Sequence, residues 1–137
     1  MPLIFELHHA SLLVADTARS LAFYHDLLGL NLDPARPDLG FPGAWLQVGG
    51  RQIHLLELPN PDPVTGRPTH GGRDRHVALM VADLDPLLAR LAAAGVPSTM
   101  SRSGRRALFC RDPDGNALEF MEVRDGPERR PAGADSG

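Results

Sequence analysis

Two stretches decide the fold: His9-Ala-Ser-Leu-Leu-Val-Ala-Asp16 and His76-Val-Ala-Leu-Met-Val-Ala-Asp83. They align without a gap at an offset of 67 residues, and Val14-Ala15-Asp16 matches Val81-Ala82-Asp83 identically. A second echo closes each half, where Ile53-His54-Leu55-Leu56-Glu57-Leu58 aligns with Leu118-Glu119-Phe120-Met121-Glu122-Val123 at an offset of 65. Two stretches in the same order at nearly the same offset indicate a duplicated unit, and connecting loops absorb the small drift.

Each copy reads as βαβββ. Residues 8–14 and 76–81 alternate as strands, with Ala10, Leu12 and Val14 (then Val77, Leu79 and Val81) on one apolar face. The other face carries His9 and Ser11, then His76 and Ala78, which suits a cleft lining better than a core. Asp16 is placed to cap a helix running to about Leu28, its stripe being Leu21, Tyr24, Leu27 and Leu28 and its left-handed stop Gly29. In the second copy Asp85-Pro86 reads as the cap and first turn, followed by Leu84, Leu87, Leu88 and Leu91 at helical spacing and an end at Gly95-Val-Pro97. Shorter strands are expected near 30–32, 44–48 and 52–58, then near 98–101, 107–111 and 117–123, with a Gly49-Gly50 hairpin turn. Asp112-Pro-Asp-Gly-Asn116 is a turn in which Pro presets φ and Gly supplies a positive one. The expected class is α+β, with paired βαβββ modules forming a cupped eight-stranded mixed sheet. One domain, residues 1–124, would hold module 1 (7–58) and module 2 (76–124), joined by the Pro/Gly-rich linker 59–75. A Pro/Gly-rich tail would follow at 125–137.

Composition narrows the partners. The 137 residues are 42% hydrophobic but only 5% aromatic, so a core of Leu, Val and Ala is expected. Net charge is −3 and basic residues do not interleave with aromatics, which argues against nucleic acid. The single cysteine, Cys110, excludes an internal disulfide framework and reads as an inert thiol. No apolar run approaches a membrane span, and the start of the sequence lacks a signal-peptide pattern, so cytoplasm is the expected location and no membrane the expected partner.

Strand parity selects the chemistry. His9 and His76 are mates at the starts of equivalent strands; His54 and Glu119 are mates on the last strand of each half. Flanking Ile53, Leu55, Leu118 and Phe120 turn both to the face opposite the apolar one. If the halves pair about a pseudo-twofold, the four side chains can share a divalent metal, and imidazole with carboxylate suits Zn, Ni, Mn or Fe(II) better than Ca or Mg. Four such ligands on an octahedral ion leave two positions open for a substrate. Glu119 and His54 are the candidate catalytic groups, and His54 could instead serve as a neutral acid–base group or outer-shell residue. His8 is expected on the face opposite His9, His25 and His70 as solvated, and Glu57 and Glu122 as solvent-facing. The Arg-rich loop 101–106 is either an anion site or a plain solvated loop.

These residues resemble the vicinal-oxygen-chelate superfamily: glyoxalase I, extradiol dioxygenases, methylmalonyl-CoA epimerase, bleomycin-binding proteins and fosfomycin-resistance thiol transferases. The likeness spans about residues 7–124 through 9–16, Ser20-Leu-Ala-Phe-Tyr24, Leu28-Gly29, 76–83 and Asp112-Pro-Asp-Gly-Asn-Ala-Leu-Glu119. It implies His9, His76 and Glu119 as metal ligands, with the His54 position a further one in glyoxalases and epimerases. The chain departs from glyoxalase I by carrying His54 where a carboxylate usually stands, and from the thiol transferases by lacking a tyrosine near Phe109. The implied function is a metal-dependent lyase or isomerase acting on a small molecule through vicinal oxygens. The alternatives are an Fe(II)/Mn(II) extradiol ring-cleaving dioxygenase and a non-enzymatic small-molecule (antibiotic) binder. A homodimer is the expected assembly.

Overall fold

The computed structural model describes residues 2–123, so the tail expected at 125–137 lies outside the described residues. The chain forms two compact units. Met1–Arg67 with Asp112–Asn116 make the first; Pro68–Arg111 with the chain from Ala117 make the second. The segment 59–75 is thus shared between units, and it contains a short 3₁₀ turn at Gly71–Arg73.

In the first unit, β1 (His9–Val14) pairs in parallel with β4 (Arg51–Glu57), which pairs antiparallel with β3 (Gly43–Val48), which pairs antiparallel with β2 (Asn31–Leu32). The second unit repeats this with β5 (His76–Val81), β8 (Ala117–Glu122), β7 (Ala107–Arg111) and β6 (Ser98–Met100). The two sheet orders, β1-β4-β3-β2 and β5-β8-β7-β6, are the same order repeated, as duplication demands. The eight expected strands are therefore hydrogen-bonded as two mixed sheets of four.

Hydrophobic burial follows the strand alternation in β4, whereas β7 and β8 are buried on both faces along Ala107–Cys110 and Ala117–Phe120. Val14, Ile53, Leu55 and Leu46 are buried in the first unit, and Leu108, Leu118 and Phe120 in the second. Leu84 and Leu91 of α2 (Leu84–Ala93) are buried too. The Asp112–Asn116 turn closes onto the first unit. Tyr24, fully buried, donates its hydroxyl to Asp112 Oδ2 at 2.7 Å, and Asp114 Oδ1 accepts from the Ala15 amide and from Arg19. Gly115, at φ 81°, carries the left-handed step of that turn.

Two helix expectations change. Asp16 caps α1 (Thr17–Leu21) by accepting from the Arg19 amide, but α1 then widens into a π-helical stretch, Ala22–Leu27. The wider winding changes which side chains face inward. Ser20, Phe23 and Tyr24 are buried, whereas Leu21, Leu27 and Leu28 of the expected stripe are only half-buried. In the second unit the cap is Asp83, which accepts from the Asp85 amide, and not Asp85. Asp83 is the mate of Asp16, and the extended backbone a cap requires falls there.

Glu57 and Glu122 are not solvent-facing. Glu57 accepts from the Thr17 amide at 2.8 Å, and Glu122 from the Leu84 amide at 3.0 Å. Both sit on the helix-packed face of their sheet, where the first amide of each helix has no intrahelical acceptor. The carboxylates supply it, and their charge suits a helix N-terminus. Arg106 adds an ion pair to Glu122 and another to Asp85.

Candidate metal-binding residues

Register places the candidate side chains in rows. In the first unit Ser11, His54 and Trp45 are aligned across β1, β4 and β3; in the second Ala78, Glu119, Phe109 and Thr99 are aligned across β5, β8, β7 and β6. Trp45 and Phe109 are thus mates beside the candidate groups, and sequence reading had not singled out Trp45. Counting alternation one strand further from His54 would have found it.

The first unit brings His9 and His54 together. Their rings stack at 3.9 Å between centroids and 17°, and Trp45 covers the other side of His54 at 4.4 Å and 8°. His8 was expected on the opposite face, yet its Nδ1 lies 2.8 Å from His9 Nδ1. β1 begins only at His9, so strand alternation does not govern His8. Behind the stack runs a relay. Asp33 Oδ2 accepts from Gln52 Nε2 at 2.6 Å, which turns Gln52 Oε1 toward His54 Nε2 at 2.8 Å. His54 Nε2 therefore carries the proton, and in the neutral ring Nδ1 keeps the lone pair. Burial lowers the His54 pKa, helped by His9, His8 and Arg36 and opposed by Asp33, so the neutral ring is favoured.

The second unit brings His76 and Glu119 together, with Nε2 to Oε1 at 3.2 Å. His76 Nδ1 lies 2.8 Å from the Asp74 carbonyl oxygen, an acceptor only, so Nδ1 must donate there. In the neutral ring Nε2 then presents a lone pair to a carboxylate oxygen. Two acceptors face each other, and that arrangement is favourable only with a proton or a cation to share. Glu119 is 4% exposed, and its Oε2 is buried without a hydrogen-bond partner among the described residues. A buried carboxylate in this state is costly. Ligands about 2.1 Å from one ion and at right angles around it stand roughly 3 Å apart, so the pair fits a divalent metal. The Asp74 carbonyl on Nδ1 is the outer partner a metal-bound imidazole usually has. Among the described residues no cluster of three or more His, Cys, Asp or Glu is gathered; each unit holds its own pair.

The remaining histidines divide. His25 is exposed, with Nδ1 2.7 Å from the Leu30 carbonyl. His70 was expected to be solvated, but its Nδ1 is 2.7 Å from Thr99 Oγ1 and its ring meets Phe109 edge-on at 4.8 Å. The short turn after it folds His70 back over the sheet, which composition of the linker could not reveal. Phe109 also receives the edge of His76 at 5.2 Å.

Residues 6–120 match the model of the Glyoxalase/Bleomycin resistance protein/Dioxygenase superfamily. The chain is 32% identical over 130 residues to the uncharacterized protein YaeR of Escherichia coli, covering 85% of this chain and 95% of that one. It is 35% identical over 117 residues to the glutathione transferase FosA of Serratia marcescens, covering 83% of this chain and 78% of that one. Among solved structures, a variant of the fosfomycin resistance protein FosX from Listeria monocytogenes, complexed with Mn(II) and 1S,2S-dihydroxypropylphosphonic acid, superposes with a TM-score of 0.69. Its identity is 19%, with 88% of this chain and 93% of that chain covered, and the likeness is one of fold. Duplicated βαβββ units and a matching family model over most of the chain lead to one conclusion: this protein belongs to the Glyoxalase/Bleomycin resistance protein/Dioxygenase superfamily.

Proposed function

We propose that the chain is a divalent-metal-dependent lyase or isomerase acting on a small molecule with two adjacent oxygens. His9, His76 and Glu119 are the proposed ligands, with His54 as a fourth ligand or as the proton-handling base. The observation that carries this reading is the His76–Glu119 pair: two acceptor atoms 3.2 Å apart, one ring nitrogen tied to the Asp74 carbonyl, and a buried carboxylate oxygen left over. Zn, Ni, Mn or Fe(II) would suit this donor set, and the FosX complex with Mn(II) supports the choice of a divalent ion within the same fold.

When bound, the metal supplies Lewis acidity toward vicinal oxygens. The chain's own groups supply proton transfer. Neutral His54 offers Nδ1 as acceptor while Gln52 and Asp33 hold Nε2–H in place. Glu119 is the only acidic member of the set, so it is the second candidate to take and return a proton. Trp45 and Phe109 provide flat apolar walls beside these groups.

Metal content after loading with Mn(II) and desalting tests the reading. Wild type is expected to retain about one ion per chain, and Glu119→Gln to lose affinity by more than the 10–100-fold that even an outer partner costs. Equal retention by both proteins sinks the assignment. Oxygen uptake with catechols would instead favour ring-cleaving dioxygenase chemistry, and none is expected.

The proposed assembly is a homodimer. Its support is the exposure of Leu3, Ile4, Phe5 and Leu7, together with β1 and β5 lying at the edges of their sheets.

A further inference from the structure

Residues 68–74 run over the second unit as a strap, and one row of the sheet shows how the strap is held. Register aligns His76 of β5, Ala117 of β8 and Arg111 of β7, spanning two strand spacings, about 10 Å in all. Ala117 keeps the middle of that row low, and Gly71 of the strap packs over it. A Cβ at Gly71 would lie 3.3 Å from Ala117 Cβ and 3.4 Å from Phe109 Cβ, tighter than side-chain contacts usually run. From the far side of Ala117, the Arg111 guanidinium grips both ends of the strap. Its Nη1 donates to Asp74 Oδ2 at 2.8 Å, and its Nη2 donates to the Pro68 carbonyl at 2.6 Å.

Packing supports the strap only in part. A cavity of about 210 Å³ is lined by Thr69 and Gly71 of the strap and by Pro97, Thr99 and Phe109 of the sheet side. Polar clasps must therefore fix the strap's position, and the Arg111–Asp74 pair is well shielded, its side chains 25% and 10% exposed. Asp74 has a second task, because its carbonyl oxygen is the acceptor 2.8 Å from His76 Nδ1. One residue thus joins the clasp, through its side chain, to the tautomer of His76, through its backbone. We infer that Arg111 is a positioning residue for His76. By clamping Asp74 it keeps the His76 proton on Nδ1 and leaves the Nε2 lone pair facing Glu119. With the clamp released, the proton can move to Nε2 and be donated to Glu119 Oε1, 3.2 Å away, a form whose Nε2 cannot bind metal. This inference deepens the metal-site reading and rests on it for the role of Nε2, but control of the tautomer does not need the metal.

The test has two arms. In metal-free protein, exchange of the His76 Nδ1–H with solvent is followed by ¹⁵N NMR in wild type, Arg111→Gln, Asp74→Ala and Thr99→Val. Asp74→Ala keeps the carbonyl and removes only the clasp; Thr99→Val removes the strap's fastening at His70, 2.7 Å from Thr99 Oγ1. Exchange is expected to quicken about tenfold or more in Arg111→Gln and in Asp74→Ala, and to stay within about twofold of wild type in Thr99→Val. The Arg111→Gln, Asp74→Ala double variant should add less than about twofold to Arg111→Gln, since both substitutions open one clasp. An unchanged rate in either clasp variant, or equal quickening in Thr99→Val, overturns the inference. In the second arm Mn(II) affinity is expected to fall about tenfold or more in Arg111→Gln and to hold within about twofold in Thr99→Val. Equal affinity in wild type and Arg111→Gln overturns the inference as well. A wild type that holds no Mn(II) defeats the metal reading alone, since the exchange arm is decided without metal.

Discussion

Single residues here are informative because of what their partners force. His76 would be an ordinary surface imidazole but for the Asp74 carbonyl, which dictates its tautomer, and Glu119, which then meets a lone pair. Asp112 shows the same logic in a structural role. Four donors converge on it: Tyr24 Oη and Asn116 Nδ2 on one oxygen, the Asp114 and Asn116 amides on the other. Burial nevertheless pushes its pKa above the ordinary carboxylate value, with those four hydrogen bonds pulling the other way. The folded chain then holds the proton more tightly than the unfolded chain. The corresponding stabilisation is complete below the unfolded pKa and is lost as pH rises through the raised folded one. Asp112→Asn cannot titrate, so the wild-type advantage in melting temperature over this variant should narrow as pH rises across the acid range. An advantage that widens with pH contradicts the assignment. At neutral pH the variant should still be less stable by about 1–3 kcal/mol, because Asn cannot accept all four bonds.

At the scale of elements, each helix is fastened to its sheet at its first amide. Glu57 holds Thr17, and Glu122 holds Leu84. Glu122 also anchors Arg106, so one buried carboxylate links β8, α2 and the loop bearing Arg105. Glu122→Ala should lower stability by about 1–3 kcal/mol in urea unfolding, since it strips the part-buried Leu84 amide of its acceptor and leaves Arg106 only Asp85 of its two carboxylate partners. A loss below about 0.5 kcal/mol would show that solvent replaces the carboxylate at no cost. The same elements show what the sequence displayed and what it hid. The repeated His9–Asp16 and His76–Asp83 motifs marked β1, β5 and the caps that follow. Using the repeat more strictly would have chosen Asp83 over Asp85, because Asp16 already occupied the corresponding place. The π-helical winding at Ala22–Leu27 had no such marker, since its apolar pattern fits an α-helix almost as well.

For the molecule as a whole, the large exposed side chains at Leu3, Ile4, Phe5 and Leu7 are 75–98% accessible, more than a soluble monomer usually leaves together in one short run. Light scattering at micromolar concentration should therefore give twice the 14.8 kDa chain mass. A Leu3→Ser, Phe5→Ser double variant should shift that mass toward the monomer; a wild type at the single-chain mass defeats the dimer reading. Duplication explains why so much of this architecture was legible in advance. A repeated pattern supplies its own control, because each strand, turn and face can be checked against its mate.

By itself the sequence determined the duplicated βαβββ order, the alternation that sets His54 and Glu119 opposite the apolar faces, and the family these features announce. Those properties depend on periodicity and chirality within short segments, and such constraints are local. Tertiary structure alone decided which partners the polar groups meet: Asp74 behind His76, the Asp33–Gln52 relay behind His54, the helix amides on Glu57 and Glu122, and Arg105 beside Glu119. Asp74–His76 and Gln52–His54 are only two residues apart, but the other pairs join different strands, loops or helix ends, and spacing along a chain carries no record of how close separate segments come once sheets and loops have packed.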